Sequence, residues 1–277
     1  MNTVEEFSAY IKKHKASKKA TRLFLDLETL TYNKAEGRKN PSKYKSILYS
    51  LCVGWLDDEE EGLVHRVAFP SWHDFEKAVE KGLTYREMLV KRQKIELVFH
   101  NGNKFDNHFI EHAMKFHHKK TEVRNIHLTN AIDNVNTCKL GDLTKAQPLD
   151  RDNIILEKRV KSATSLEIDA FYNNVHYITI DNAPKTGASI RELGKKLLAL
   201  GVIEEEQLKT EFEYDVFDLE EDMSDEEAYL YAKQCFMSLT DKQLVYIEND
   251  VIILGKSVYY YSDLYPDFDW EKRTKTV

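Results

Sequence analysis

Cysteine is scarce in this 277-residue chain, which has Cys52, Cys138 and Cys235 only. The three are odd in number, far apart and free of any Cys-x-x-Cys spacing, which argues against a disulfide framework and against a structural zinc site. No run approaches the roughly 20 apolar residues of a membrane span. Residues 1–20 also lack the apolar centre of a signal peptide. A soluble protein of the reducing cytoplasm, with no membrane partner, is the expectation. Proline and glycine number only 5 and 10, no Pro-rich or Gly/Ser-rich linker divides the chain, and no internal repeat is visible. One globular domain carrying insertions is therefore expected. Basic charge is also in deficit: 40 Lys and Arg against 47 Asp and Glu leave a net charge of −7. That excludes grip through a broad basic surface, so any nucleic acid must be held locally.

The hydrophobic pattern places a short polar helix over residues 4–15 and a strand over Arg22 to Glu28, in which Leu23, Leu25 and Leu27 share one face. Ile47 to Leu56 and Gly62 to Phe69 read as a hairpin across the acidic turn 57–61. Ser71 caps a helix running to Lys81. Ile95 to His100 is a compact apolar run that suits a buried strand, and Asn107 to His118 repeats at helical spacing. From Thr121 to Ser165 the pattern is weak, and the stretch reads as an extended insertion. Leu166 to Ile180 reads as a hairpin turning at Asn173-Asn174, and Ser189 to Leu200 as a helix closed by Gly201. The acidic stretch Glu204 to Glu227 reads as a solvated face plus loop. The last element is the best specified: Thr240 with Gln243 as a capping box, then Leu244, Ile247, Val251, Leu254 and Val258 in one stripe.

Three clusters on these elements carry chemistry: Asp26-Leu27-Glu28-Thr29, His100 to Asp106, and Tyr246-Ile247-Glu248-Asn249-Asp250. Asp26 and Glu28, two apart on a strand, point to the same side at a separation of roughly 6 to 7 Å. Their like charges repel unless a divalent ion neutralises them. Oxygen-only ligands favour Mg²⁺ or Mn²⁺ over zinc. With Asp106 and Asp250 they make a ligand set for two such cations, the arrangement that stabilises the attacking and leaving oxygens of an in-line phosphodiester displacement. Tyr246, one helical turn before Asp250, can orient the attacking water, although a phenol at its ordinary pKa is a poor base at neutral pH. Asn101 and Phe105 add an amide and a ring suited to a terminal nucleotide and to stacking on an unpaired base.

These clusters, in this order, resemble the proofreading exonuclease motifs of the Asp-Glu-Asp-Asp superfamily, tyrosine branch. The surrounding text is similar to the N-terminal 3′→5′ exonuclease domain of protein-primed family B DNA polymerases of bacteriophages. Asp-x-Glu-Thr stands at Asp26 to Thr29, Asn-x-x-x-Phe-Asp at Asn101 to Asp106, and Tyr-x-x-x-Asp at Tyr246 to Asp250. A Lys followed five residues later by Tyr, here Lys209 and Tyr214, is a further likeness to the phage group.

The resemblance implies an RNase H-like α/β fold with a mixed central sheet flanked by helices. It implies two Mg²⁺ or Mn²⁺ held by Asp26, Glu28, Asp106 and Asp250, with catalysis assisted by Tyr246 and Lys209. Thr29, His100, Asn101, Phe105, Phe109 and Tyr214 are implied to bind a single-stranded DNA 3′ end. A polymerase domain and a priming terminal protein become candidate partners, and the host bacterium's cytoplasm the location. The exonuclease domain then spans 21–260, preceded by a helical extension at 1–20. It contains an insertion at 137–165 and is followed by a tail at 261–277 that would lead towards a polymerase domain. The second cluster is one residue longer than the compact motif His-Asn-x-Lys-Phe-Asp, which leaves open whether Asn101 or Asn103 meets the substrate. DNA against RNA preference is likewise open.

Each residue also has a purely structural reading. Tyr246 would be a half-buried aromatic, Lys209 a solvated lysine, and Phe109 a core residue beside the apolar stripe of its helix. His108, Glu111 and His112 fit the inverted zinc-protease pattern His-x-x-Glu-His, though no third ligand is identifiable. A catalytically silent docking domain of the same fold is the non-enzymatic alternative.

Overall fold

The computed structural model describes residues 2–14, 20–40, 45–57, 60, 62–83, 93–117, 120–127, 153–162, 165–172, 175–211 and 216–266. The strands are β1 (Thr21–Tyr32), β2 (Lys45–Leu56), β3 (Val64–Phe69), β4 (Gln93–Phe99), β5 (Lys120–His127), β6 (Asn153–Ser162), β7 (Ser165–Tyr172) and β8 (Val175–Asp181). The helices are α1 (Val4–His14), α2 (Lys34–Lys39), α3 (Trp72–Gly82), α4 (Asp106–His117), α5 (Ala183–Thr186), α6 (Ile190–Ala199), α7 (Asp225–Met237) and α8 (Asp241–Leu264).

The strands form one mixed sheet in the order β3-β2-β1-β4-β8-β7-β6-β5. β1, β4 and β8 run parallel at its centre. β2 and β3 follow β1 as an antiparallel meander. Chain order and spatial order part company on both sides of β4, whose neighbours are β1 rather than β3 and β8 rather than β5, so the centre is completed only by residues far along the sequence.

Strand alternation divides the sheet into two faces. Leu23, Leu25 and Leu27 of β1 join Leu97 and Phe99 of β4 under Phe7 and Ile11 of α1, Trp72 and Phe75 of α3, and Ile110 and Met114 of α4. Burying a side chain of this size stabilises the fold by about 1.5–3 kcal/mol. The residues 1–20 expected as an extension thus contribute α1 to the main core. On the opposite face Phe24, Val98 and Ile180 pack against Ile247, Val251, Leu254 and Val258 of α8. The same face carries Leu30, Tyr32, Ile47 and Tyr49 against Ala228, Ala232 and Cys235 of α7.

α8 lies close on the sheet because Gly54 of β2 lacks a side chain; a Cβ there would collide with Val251 Cγ1. Its start is capped by Thr240, which accepts from the Gln243 N–H, while Gln243 reaches back to the Thr240 N–H. Ser71 caps α3 through the Asp74 N–H, and Gly201 follows α6 with φ at +68°.

Two stretches differ from the sequence expectation. The weak pattern from Thr121 to Ser165 contains β5 and β6, which extend the sheet, while 128–152 lie outside the described residues. The acidic stretch Glu204 to Glu227 ends in α7, whose start is set by a capping box between Ser224 and Glu227. Among the described residues no helix is long and apolar enough to cross a membrane. Cys52 and Cys235 are buried free thiols; Cys138 lies outside the described residues.

Candidate active site

The odd side chains of β1 sink into one core, so Asp26 and Glu28 rise on the other face, towards α8. Across the ladder Asp26 faces Cys52 and Glu28 faces Ser50, both small side chains. The register then slips, Thr29 facing Leu48, so that Tyr49 is an extra residue on β2, an irregularity of the kind that increases local twist.

The other edge of β1 is where the site opens. β4 pairs with β1 only as far as Phe24 and Val98. Among the described residues nothing pairs with that edge again until Thr31, whose C=O accepts from the Leu219 N–H at 2.9 Å and whose N–H donates to Asp218 Oδ1 at 2.6 Å. A cleft of about 380 Å³ is lined by β1 from Leu25 to Thr29 and by Thr31.

β4 delivers the second cluster. The chain turns sharply after Phe99, with Asn101 at a φ of 71°, in the left-handed region that Asn tolerates better than most residues. The turn is clasped by Asp181, at the end of β8. Its carboxylate accepts the N–H groups of Asn101 at 2.8 Å, Asn103 at 3.2 Å and Ala183 at 3.0 Å. Asp106 then opens α4 and is buried. Asn101 is exposed on the cleft, whereas Asn103 is buried, its side-chain oxygen taken by Asn107 Nδ2 at 3.1 Å. Of the two asparagines, then, only Asn101 reaches the cleft.

α8 delivers the third. Arg66 of β3 pairs with Glu248 at 2.8 Å and fixes the rotation of the helix. Asn249 Nδ2 donates to the carbonyls of Glu206 at 2.9 Å and Leu208 at 2.8 Å, which brings the next residue, Lys209, beside Asp250. The Lys209 ammonium forms an ion pair with Asp250 Oδ2 and stands 4.8 Å from the centre of the Tyr246 ring.

Asp26, Glu28, Asp106, Tyr246, Lys209 and Asp250 therefore line one cleft, together with Thr29, His100, Asn101 and Phe105. Phe105 is 48% exposed. His100 Nε2 donates to the Ala188 carbonyl at 2.8 Å, and burial lowers its pKa, which favours the neutral ring. Phe109 is not among the lining residues: it is partly buried against the core of the other face, and its ring lies 4.9 Å from that of Phe105. Tyr214 lies outside the described residues. His108 and His112 are exposed on α4, and Glu111 is paired with Lys115.

Packing four carboxylates together has an electrostatic cost. Burial, then the neighbouring Asp250, Glu28 and Asp106 charges, push the Asp26 carboxyl well above its usual range. Burial and Asp250 push Glu28 up to about 8 against the pull of Lys209. Asp106 rises to about 7, through burial and the Asp181 and Asp250 charges. Asp250 is raised by burial and held back by Lys209.

Among the described residues no three His, Cys, Asp or Glu side chains form a ready-made coordination group. The donor chemistry nevertheless fits hard divalent cations: the carboxylates are short of counter-charge, and Asp250 Oδ1 is buried with no hydrogen-bond partner. Lys209 supplies counter-charge through its pair with Asp250, and Arg191 adds a weaker pull.

Three further residues shape the site without having been singled out from the sequence. Asn249 was legible only as a neighbour of Asp250. Asp181 ends a strand that reads as plain apolar alternation, and Asp218 is one acid among many between Glu204 and Glu227.

No family model matches the sequence, and no curated protein or solved structure matches it significantly.

Proposed function

We propose that the chain is a metal-dependent 3′→5′ exonuclease that shortens single-stranded DNA ends to mononucleotides, the editing part of a phage-type replicative DNA polymerase. The fold we infer is RNase H-like, with the site where β1 and the end of β4 meet α8. One observation carries the reading: carboxylates from β1, the start of α4 and the middle of α8 line a single cleft with Tyr246 and Lys209.

In this reading Asp26, Glu28, Asp106 and Asp250 hold two Mg²⁺ or Mn²⁺. When bound, such a pair lowers the pKa of water and stabilises charge on the attacking and leaving oxygens. The chain's own groups do the rest. The Tyr246 hydroxyl orients the attacking water. Lys209, released from Asp250 once that carboxylate is engaged, places its ammonium against the charge developing on the phosphate. The Phe105 ring, half in solvent, offers a face for an unpaired base, while Thr29, His100 and Asn101 supply polar contacts along the strand. A frayed end fits this arrangement and a stacked duplex does not.

Incubating the chain with 5′-labelled single-stranded DNA and Mg²⁺ or Mn²⁺ tests the reading. A metal-dependent ladder of shortened products is expected. Intact substrate under both metals would favour a silent docking domain instead.

A further inference from the structure

Every residue of β2 from Ile47 to Trp55 is buried, and in that largely apolar run Ser50 is a departure. It is 0% exposed, and among the described residues its Oγ has no hydrogen-bond partner. A hydroxyl shut away from water without a partner opposes folding, so its presence in the middle of a core strand calls for a physical reason.

The ladder supplies one. Ser50 stands directly opposite Glu28 on β1. Side chains paired in this way have Cβ atoms about 4.5–5.5 Å apart, within the combined reach of a serine hydroxyl and a glutamate carboxyl. Ser50 shares a strand face with Cys52, which packs on the α8 side of the sheet, the side on which the carboxylates rise. β3 pairs with β2 only from Leu51 onward, so the one strand that flanks Ser50 among the described residues is β1. Glu28 lines the cleft and Ser50 does not, which sets the hydroxyl behind the carboxyl as seen from the cleft. A carboxylate offers two oxygens and about four acceptor sites. A ligand in the cleft engages those that face it, and the rest must be satisfied from within the protein.

We propose that Ser50 is a positioning residue for Glu28: its hydroxyl donates to the carboxylate oxygen turned away from the cleft and so fixes the orientation in which Glu28 meets a divalent cation. The inference rests on the metal-ligand part of the exonuclease reading and adds the group that aims one of the ligands. Ser50 touches neither cation nor substrate; it acts through Glu28 alone.

The test uses Ser50→Ala, which removes the hydroxyl, and Ser50→Thr, which keeps it. Mn²⁺ affinity is read without DNA from the paramagnetic resonance of the free ion, and folding from the melting of the chain in chelator. Ser50→Ala is expected to weaken Mn²⁺ binding about tenfold to a hundredfold, while its melting midpoint holds or rises because an unpaired buried hydroxyl is gone. Ser50→Thr should bind like the wild type. Hydrolysis should show the same division, Ser50→Ala needing about tenfold more Mn²⁺ for its half-maximal rate and regaining a near wild-type rate at saturation. Unchanged affinity in Ser50→Ala overturns the inference, as does a loss of affinity accompanied by a lower midpoint, which is the mark of disturbed packing. If the wild-type chain binds Mn²⁺ yet leaves DNA intact, the exonuclease reading falls and the affinity ratio alone decides the inference. If the wild-type chain binds no Mn²⁺, both fall.

Discussion

β1 carries two rows of side chains under opposite constraints. The row of Leu23, Leu25 and Leu27 is buried in hydrocarbon that α1, α3 and α4 complete, and each of its members adds to stability. The row on the other face runs from Phe24 to Asp26 and Glu28, and there burial opposes the charge that the proposed chemistry requires. A single strand thus separates what holds the fold from what the fold holds. Changes to one row should be nearly silent in the property governed by the other.

The largest effect expected is on hydrolysis. Asp26→Ala or Asp250→Ala should lower the rate about a thousandfold or more, since each removes a proposed ligand from a metal centre that, in this reading, is worth several kcal/mol to the transition state. The thermal midpoint should hold or rise, because a buried repulsion is relieved. Activity retained in either variant, measured on labelled DNA alongside a melting curve, would refute the ligand assignment.

The mirror-image change is Leu25→Ala. Urea unfolding should show a loss of about 2–5 kcal/mol, typical of a large-to-small change in a closed core, and hydrolysis per folded molecule should be close to wild type. A stable Leu25→Ala chain would break the division between the rows.

Tyr246→Phe should slow hydrolysis about ten- to hundredfold, the usual scale for a residue that orients another group rather than holding the metal. A rate as low as that of Asp250→Ala would move Tyr246 from orienting to essential.

The smallest effect should appear in the melting of the metal-free chain against pH. Glu28 is raised from 4.5 to about 8, first by burial and then by Asp250, and Asp106 from 3.8 to about 7. Between those values the folded chain binds more protons than the unfolded one, so stability present in acid is lost as pH rises through 7 to 8. Saturating Mg²⁺ or Mn²⁺ should restore most at the alkaline end. A flat profile that metal leaves unchanged would contradict the crowding of acids in the cleft.

The sequence was informative where structure is local. Period-two and period-3.6 patterns place β1, β2, β4, α3 and α8, and the Thr240 capping box marks the start of α8 to the residue. Asp26 with Glu28, and Tyr246 with Asp250, were legible because their spacing has a physical meaning on a strand or a helix, whereas Asp106 was legible through the likeness of its cluster to the second exonuclease motif. What was hidden depends on distant chain. β5 and β6 have polar text, and the sheet's order shows why they were missed: they pair at an edge remote from the cleft. α7 carries apolar residues around its girth, including exposed Leu230 and Met237, so no clean stripe announces it. Asp181 and Asp218 each accept from a backbone N–H about 80 and 190 residues away in the chain, respectively, a relation that no local pattern encodes. Phe109 shows the reverse limit: its place beside the motif suggested substrate contact, while its side chain packs with the core.

Locating Mn²⁺ by anomalous scattering in crystals of the chain tests the central claim most directly. The account predicts two ions about 4 Å apart in the cleft, ligated by Asp26, Glu28, Asp106 and Asp250, with Lys209 displaced from Asp250. Ions bound elsewhere, or a cleft still closed by the Lys209 and Asp250 pair at saturating Mn²⁺, would contradict it.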